Sequence, residues 1–383
     1  MKKIGIITIL KVNNYGAELQ SFALQHKLFL CGYNVEVIDY LFGINRQHNS
    51  KGEKLTIPIP IKERIKDFLL PIVEDMRTMF FFHSKKVREE KFLRFHQKFN
   101  NLSQHTYPSV KSLYENRPQY DIYCVGSDQV WNYMKGYSIL PFLLDFVDST
   151  KKKITYASSI GLSSISNEAA NVFKEHLSKF SMVSVRETQA SVILSKLLNK
   201  PVPTVLDPTL LLTHEEWLSM ADYSQCPKEP YLVLYIVTIK PCRYAEQLAL
   251  YIAKMKNLKV VRIYRDAFCF NPNKNFINLL DAGPSDFIGL FDKSAFVVTN
   301  SFHGTVFSIN FNKPFYSVVK KGKNTNSRLY SILMKLNKSE RLLEEGSPMP
   351  RKDNFNCDFV NTNIALEKER MYSIKVLQDA IDI

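Results

Sequence analysis

The chain has 383 residues, too long for one ordinary domain, so two of roughly 150–200 residues are expected. A composition of 45% hydrophobic and 23% charged residues excludes a disordered or fibrous chain. The formal net charge of +14 favours anionic partners (phosphorylated small molecules, nucleic acid or a phospholipid surface) without choosing among them.

The six cysteines form no C-x-x-C pair and no His cluster has metal-ligand spacing, so free thiols in a reducing compartment, and no metal, are expected. Met1-Lys2-Lys3 and the apolar run Ile4–Leu10 resemble a signal peptide, but the run is short and leads into Lys11, Asn13 and Asn14. A buried first strand fits better. No run of 18 apolar residues occurs, so no membrane span is expected.

In chain order, the β-branched run Ile4–Leu10 predicts a strand covered on both faces. A turn at 13–16 precedes a helix over Ala17–Leu30, with Gly32 after its end, and Asn34–Tyr40 is the next strand. This βαβ unit lacks G-x-G-x-x-G, so no dinucleotide site is predicted. Residues 43–110 read as a helical insertion in which basic and aromatic side chains alternate, among them Lys62, Arg64, Phe68, Arg88, Phe92 and Phe95. It is either an amphipathic layer packed on its own domain or a face resting on anionic lipid.

Strands follow at Tyr120–Val125, Lys153–Ala157, Met182–Val185 and Pro203–Leu206, the last closed by Asp207-Pro208. Helices are expected at Asn167–Phe180, with Asn167 as N-cap, and at Glu187–Leu198. The alternation argues for a doubly wound parallel sheet. The pattern lapses at 213–230, which is taken as a linker. A second α/β run continues with strands at Tyr231–Val237, Lys259–Tyr264, Phe276–Leu279, Ala295–Val298 and Pro314–Val319. Its helices are Arg243–Met255, Ser285–Lys293, Val306–Phe311 and Ser327–Leu336. A last helix over Ile364–Ile381 is expected to pack back on the first domain. The domains are then 1–212, with the insertion at 43–110, and 231–362, with the terminal helix in 363–383.

Several places carry chemistry. His303 stands between a strand end and a helix start, where backbone N–H groups and the helix dipole attract an anion. Arg186 follows another strand end, and a guanidinium matches carboxylate or phosphate bidentately. Arg328, in the first turn of a helix, is a cation where the dipole disfavours one. Gly126–Asn132 has the layout of a ligand loop, although Asp128 capping a helix and Trp131 packing in the core explain it equally well. Asp128 and Glu18 both follow strand ends and are placed to act as a general base, with first-turn dipole pairing the plainer account of Glu18.

Taken together, Asn14–Gln20, Gly126–Asn132, Tyr156–Gly161, Ser184–Glu187, Leu206–Thr209 and Ser301–Thr305 resemble the ordered motifs of the polysaccharide pyruvyltransferase family. The resemblance implies a GT-B-like α/β architecture, two Rossmann-like domains facing a cleft. It implies transfer of a pyruvyl group from phosphoenolpyruvate to a sugar, closing a cyclic ketal and releasing phosphate. Its acceptor is a capsule, exopolysaccharide or cell-wall glycan unit, often lipid-linked. A cytoplasmic enzyme at the inner face of the membrane, without cofactor and without nucleic acid, follows. Arg186 and His303 match the family's donor-site Arg and His. Some members carry Arg two residues before that His, where this chain has Ser301, so Lys323 or Arg328 is expected to supply the contact. The donor set is then Arg186, Ser301, His303, Gly304, Thr305, Lys323 and Arg328; His303 is the donor-side acid or phosphate partner. Asp128 or Glu18 is the base, with Asn14, Tyr15, Gly16, Gln20, Ser127, Trp131 and Asn132 on the acceptor side. The competing reading is a nucleotide-sugar-dependent glycosyltransferase of the same architecture.

Overall fold

Two parallel sheets organise the chain. The computed structural model describes residues 2–41, 82–238, 242–265, 273–322 and 327–382. The first sheet is built from β1 (Lys3–Ile7), β2 (Asn34–Tyr40), β3 (Leu102–Tyr107), β4 (Ile122–Val125) and β5 (Lys152–Thr155), in the order β3-β2-β1-β4-β5. Ile4 of β1 lies opposite Val35 on one side and Ile122 on the other. Ile4, Ile6 and Ile7 are fully buried, as a central strand covered on both faces requires. Past β5 the sheet continues as single bridges, Ile154 to Met182, Ser158 to Val185 and Val185 to Thr204. These bring the chain after 185 and after 206 to the same edge as the end of β4.

The second sheet has six strands: β6 (Tyr231–Ile236), β7 (Lys259–Tyr264), β8 (Ile277–Leu279), β9 (Phe296–Thr299), β10 (Phe315–Val319) and β11 (Leu342–Glu344), in the order β11-β10-β9-β6-β7-β8. The helices of the first half are α1 (Tyr15–Leu30), α2 (Phe82–Phe99), α3 (Val110–Glu115), α4 (Asn167–Leu177), α5 (Thr188–Leu198) and α6 (His214–Leu218). Those of the second are α7 (Arg243–Lys256), α8 (Pro284–Lys293), α9 (Phe302–Asn310), α10 (Ser327–Lys335) and α11 (Val360–Asp382). Two Rossmann-like α/β domains result, as expected.

Three expectations need correction. Leu102–Tyr107 is not part of a helical insertion but an edge strand paired with β2. Its side chains are mostly polar, because an edge strand is held by backbone pairing and needs no apolar run. Ser166, not Asn167, caps α4, its hydroxyl accepting from the Ala169 N–H at 3.2 Å. α9 begins at Phe302 rather than Val306, because the Ser301 hydroxyl accepts from the Gly304 N–H and starts the helix there.

The domains meet along an apolar seam. Trp217 of α6, fully buried in the stretch read as a linker, packs on Phe22 of α1 (centroids 5.8 Å apart) and on Phe307 of α9 (5.1 Å). Tyr15 stacks on Phe287 of α8 at 4.9 Å. Each buried ring contributes about 1.5–3 kcal/mol, whereas a partly exposed pair such as Lys27–Glu216 contributes about 0–1 kcal/mol. Ring packing therefore sets the interface. α11 ties both domains: Ser373 accepts from the Leu206 N–H, and Arg370 donates to the Leu210 carbonyl and to Asn310.

Residues 43–81 of the insertion lie outside the described residues. In α2, Arg88, Phe92 and Phe95 are buried against the protein. For these three side chains the packed layer, not the lipid-facing surface, is the alternative that holds. No helix among the described residues is long and apolar enough to cross a membrane.

Candidate active site

The carboxyl ends of both sheets face each other, and polar side chains from six strand ends gather there. At the centre is Asp207, at the end of the 203–206 segment and only 1% exposed. Its Oδ2 accepts from Arg186 Nη1 at 2.6 Å and from the Ser127 hydroxyl at 3.3 Å. Its Oδ1 accepts from the Thr209 N–H and hydroxyl at 3.0 and 2.7 Å. From the other domain, His303 Nε2 approaches Oδ2 to 3.7 Å, an ion-pair distance rather than a hydrogen bond. Burial acts to raise the Asp207 pKa, but His303 and Arg186 outweigh it and hold the carboxyl well below the ordinary range. Asp207 is thus an ionised anchor on which Arg186 of one domain and His303 of the other converge.

Asp128 lies 3.6 Å from Arg186 Nη2. Its backbone has φ 73°, a conformation Asp tolerates better than most residues. The Gln129 N–H bound to Oδ1 at 2.8 Å, and the Val130 and Ser159 N–H groups bound to its carbonyl, hold the turn. Arg328 reaches across from α10. With the Gln129 amide turned so that its oxygen faces Arg328, that oxygen accepts from Nη1 and Nη2 at 3.0 and 2.7 Å. Burial, and then the charge of Arg186, lowers the Arg328 pKa. The Phe302 ring lies within cation–π range of both guanidinium groups, 4.7 Å from Arg186 Cζ and 5.9 Å from Arg328 Cζ. The structure thus brings together Arg186, His303, Asp128 and Arg328, which the sequence singled out. Lys323 lies outside the described residues.

The N-termini of α1 and α9 also converge. Asn14 caps α1 by accepting from the Gly16 and Ala17 N–H groups. A Cβ on Gly16 would lie 2.0 Å from His303 Nδ1, so only glycine lets the imidazole sit on this turn. Ser301 stands at the position of the expected Arg, and it caps α9 instead.

Several expected ligand side chains have structural partners within the protein. Glu18 does not face the cluster: its Oε1 accepts from the Val12 N–H at 2.9 Å and its Oε2 lies 2.7 Å from His96 Nε2. Gln20, fully buried, donates to Thr8 and to the Ala17 carbonyl. Ser127 serves Asp207. Trp131 is a core residue, its indole N–H donating to the Phe142 carbonyl at 2.8 Å. Asn132 caps the turn at Tyr133–Lys135. Tyr15 is buried in the other domain, with its hydroxyl on the Ala282 carbonyl at 2.8 Å. Gly304 is a buried helix residue whose N–H is taken by Ser301, and the Thr305 hydroxyl donates to the Ser301 carbonyl and meets Ser317. In each case a backbone group, another side chain or the core claims the residue.

Sequence reasoning gave no role to Asp207, Phe302 or Glu187. The available signal for Asp207 was an Asp-Pro at a strand end, in the same topological position as Asp128 and Arg186. Glu187, 4% exposed, accepts from the Ser159 hydroxyl at Oε1, while its Oε2 has no hydrogen-bond partner among the described residues. The same holds for Arg186 Nε and Nη2 and for His303 Nε2. Buried donors left unmatched cost about 1–3 kcal/mol each. Concentrated at one interdomain point, they suit a small ligand with more than one anionic group. Among the described residues no group of three His, Cys, Asp or Glu is placed to hold a metal ion.

A family model described as Polysaccharide pyruvyl transferase matches residues 14–319. No curated protein matches the chain. Among solved structures, the S. aureus MnaA–UDP co-structure is 12% identical, with 97% of this chain and 90% of that chain covered and a TM-score of 0.50. A Methanocaldococcus jannaschii UDP-GlcNAc 2-epimerase in complex with UDP-GlcNAc and UDP is 11% identical, covering 97% and 99% with a TM-score of 0.48. Arabidopsis thaliana UGT89C1 complexed with UDP-L-rhamnose is 14% identical, covering 100% and 94% with a TM-score of 0.45.

Proposed function

The chain belongs to the polysaccharide pyruvyl transferase family, and we propose that it transfers the pyruvyl group of phosphoenolpyruvate to a sugar of a lipid-linked polysaccharide repeat unit. The observation that carries this reading is the convergence of Arg186 and His303, from different domains, on the buried anion Asp207, with donor nitrogens still unmatched. Phosphoenolpyruvate brings a carboxylate and a phosphate, and the cluster brings two guanidinium groups, an imidazole and the positive end of the α9 dipole.

In the proposed reaction a proton adds to the methylene carbon, C3, and positive charge develops at C2. One sugar hydroxyl attacks C2 and loses its proton to a base. The C2–O bond to phosphate then breaks, and the phosphate leaves with the electron pair. A second hydroxyl attacks C2 and loses its proton, which closes the ketal. His303 is assigned to the donor, as the acid for C3 or as the partner of the leaving phosphate. Asp128 is assigned as base, since Glu18 is committed to Val12 and His96.

Incubation with phosphoenolpyruvate and a lipid-linked galactoside is expected to release phosphate and add the mass of a ketal. His303→Ala is expected to lower kcat by about 10²–10⁴-fold. Absence of turnover over a broad acceptor panel, with thermal stabilisation by UDP and none by phosphoenolpyruvate, would favour a nucleotide-sugar glycosyltransferase instead.

A lipid-linked acceptor also gives purpose to a membrane contact. We place it on the outer face of α2, where Phe82 and Leu93 are exposed beside Lys86 and Arg94. Flotation with anionic liposomes at low salt is expected to carry the protein upward. Retention in the soluble fraction rejects the contact and leaves the reaction untouched.

A further inference from the structure

We infer that Arg88, on the insertion helix α2, is a positioning residue that pins the two domains together behind the site. It is 2% exposed, yet among the described residues no carboxylate meets it. Oxygen atoms of both domains surround the guanidinium instead. Nη1 donates to the Tyr15 hydroxyl, to the Tyr264 carbonyl at 3.0 Å and to the Ala282 carbonyl at 3.2 Å. Nη2 donates to the Asn13 carbonyl at 3.1 Å and to the Arg265 carbonyl. Asn13 and Tyr15 lie at the start of α1 in the first domain, while in the second Tyr264 ends β7, Arg265 follows it and Ala282 precedes α8. The cation also stands over the rings of Tyr15 (4.5 Å) and Phe92 (4.9 Å).

A buried cation without a counter-ion is costly, and most buried arginines are paired. This one is supported by a cradle of carbonyl dipoles that exists only while the two domains are docked. The fork geometry matters, because one planar group must reach three chain segments at once, and a lysine ammonium is a point charge that cannot. The rest of α2 supports the same docking. Lys91 pairs with Asp286 of α8 at 3.0 Å, and a Cβ on Gly283 would lie 2.6 Å from Lys91 Cβ, so the helix lies hard against the second domain.

The link to chemistry runs through two adjacent residues. Tyr15 takes the Arg88 hydrogen bond, and Gly16 carries the His303 ring. Arg88 thereby sets the distance between the start of α1 and the start of α9, and with it the distance from His303 to Arg186. The insertion read from sequence as a basic layer has, in this residue, an interdomain function.

The kinetic arm of the test rests on the proposed reaction; the structural arm does not. In Arg88→Met and Arg88→Lys, amide hydrogen exchange over 12–18 and 281–284 is expected to rise by about tenfold or more, with circular dichroism unchanged. The same variants are expected to lose about 10²-fold in kcat with phosphoenolpyruvate, the scale of a positioning error of about 1 Å. Tyr15→Phe, which removes one partner and keeps the ring, is expected to move both readouts the same way by less, and decides the matter should the Arg88 variants fail to fold. Wild-type exchange in these segments, or full function in Arg88→Lys, overturns the inference. So does a lowered melting temperature with unchanged kcat, since that is what a merely structural buried charge produces. If the wild-type protein transfers no pyruvyl group, the proposed reaction fails, and hydrogen exchange still decides the role of Arg88.

Discussion

Asp207→Asn is expected to destabilise the protein by about 3–5 kcal/mol, the cost of leaving a buried cation without its partner. Arg186 has its 2.6 Å bond to Asp207, while Asp128 stays 3.6 Å away and Glu187 acts on it only through charge, so the remaining carboxylates do not replace the lost bond. The pH dependence identifies the pair. The folded-state pKa of Asp207 is depressed, so its contribution is fully present above the unfolded value of about 3.9 and is lost as pH falls below it. Urea titrations should therefore show the full difference between wild type and variant down to about pH 5, a narrowing below about pH 4, and convergence only as pH falls through the depressed folded-state pKa. Loss of about 10²-fold in kcat/KM for phosphoenolpyruvate is expected as well, because Arg186 and His303 both take their position from this carboxylate. A variant as stable as wild type at neutral pH would remove Asp207 from the centre of the site.

Gly16→Ala separates the site from the fold. Within a helix, alanine is favoured over glycine by about 1 kcal/mol. Here the new methyl group would lie 2.0 Å from His303 Nδ1 and 2.5 Å from Cγ and Cε1. Such overpacking costs about 1–3 kcal/mol, so the clash outweighs the gain and His303 or α1 must shift. The expected result is a modest fall in melting temperature with a loss of about 10²-fold in kcat/KM for phosphoenolpyruvate. Wild-type activity in a folded Gly16→Ala protein would show that the imidazole does not work from its seat on α1.

The two predictions concern residues of different legibility. Gly16 and His303 were both visible in their motifs, but they stand 287 positions apart and only the docked domains make them neighbours. Asp207 was visible as a strand-end residue and carried no assigned role. Glu18 and Trp131 looked like ligands and are not. Glu18 sits in the first turn of a helix, and what claims it is His96 from the insertion, a contact that no local pattern encodes. Trp131 follows a strand end that carries one glycine, Gly126, and the Phe142 carbonyl that takes its N–H comes from a later turn.

By itself, the sequence determined the alternation of strand and helix, because apolar periodicity is a local consequence of which face is buried. Asn34–Tyr40 and Lys259–Tyr264 have the expected bounds. It also determined the family, through six short motifs in a constant order, and it placed Arg186 and His303 at strand ends. Tertiary structure alone decided which polar side chains are free to meet a ligand. Backbone groups exposed by loops and helix starts must be satisfied once buried, and they take the nearest side chains first. Ser301, Asn132 and Thr305 are consumed in this way. What remains unmatched, Arg186, His303 and their neighbours around Asp207, is set by how two domains dock, and that docking depends on contacts between residues far apart in the chain.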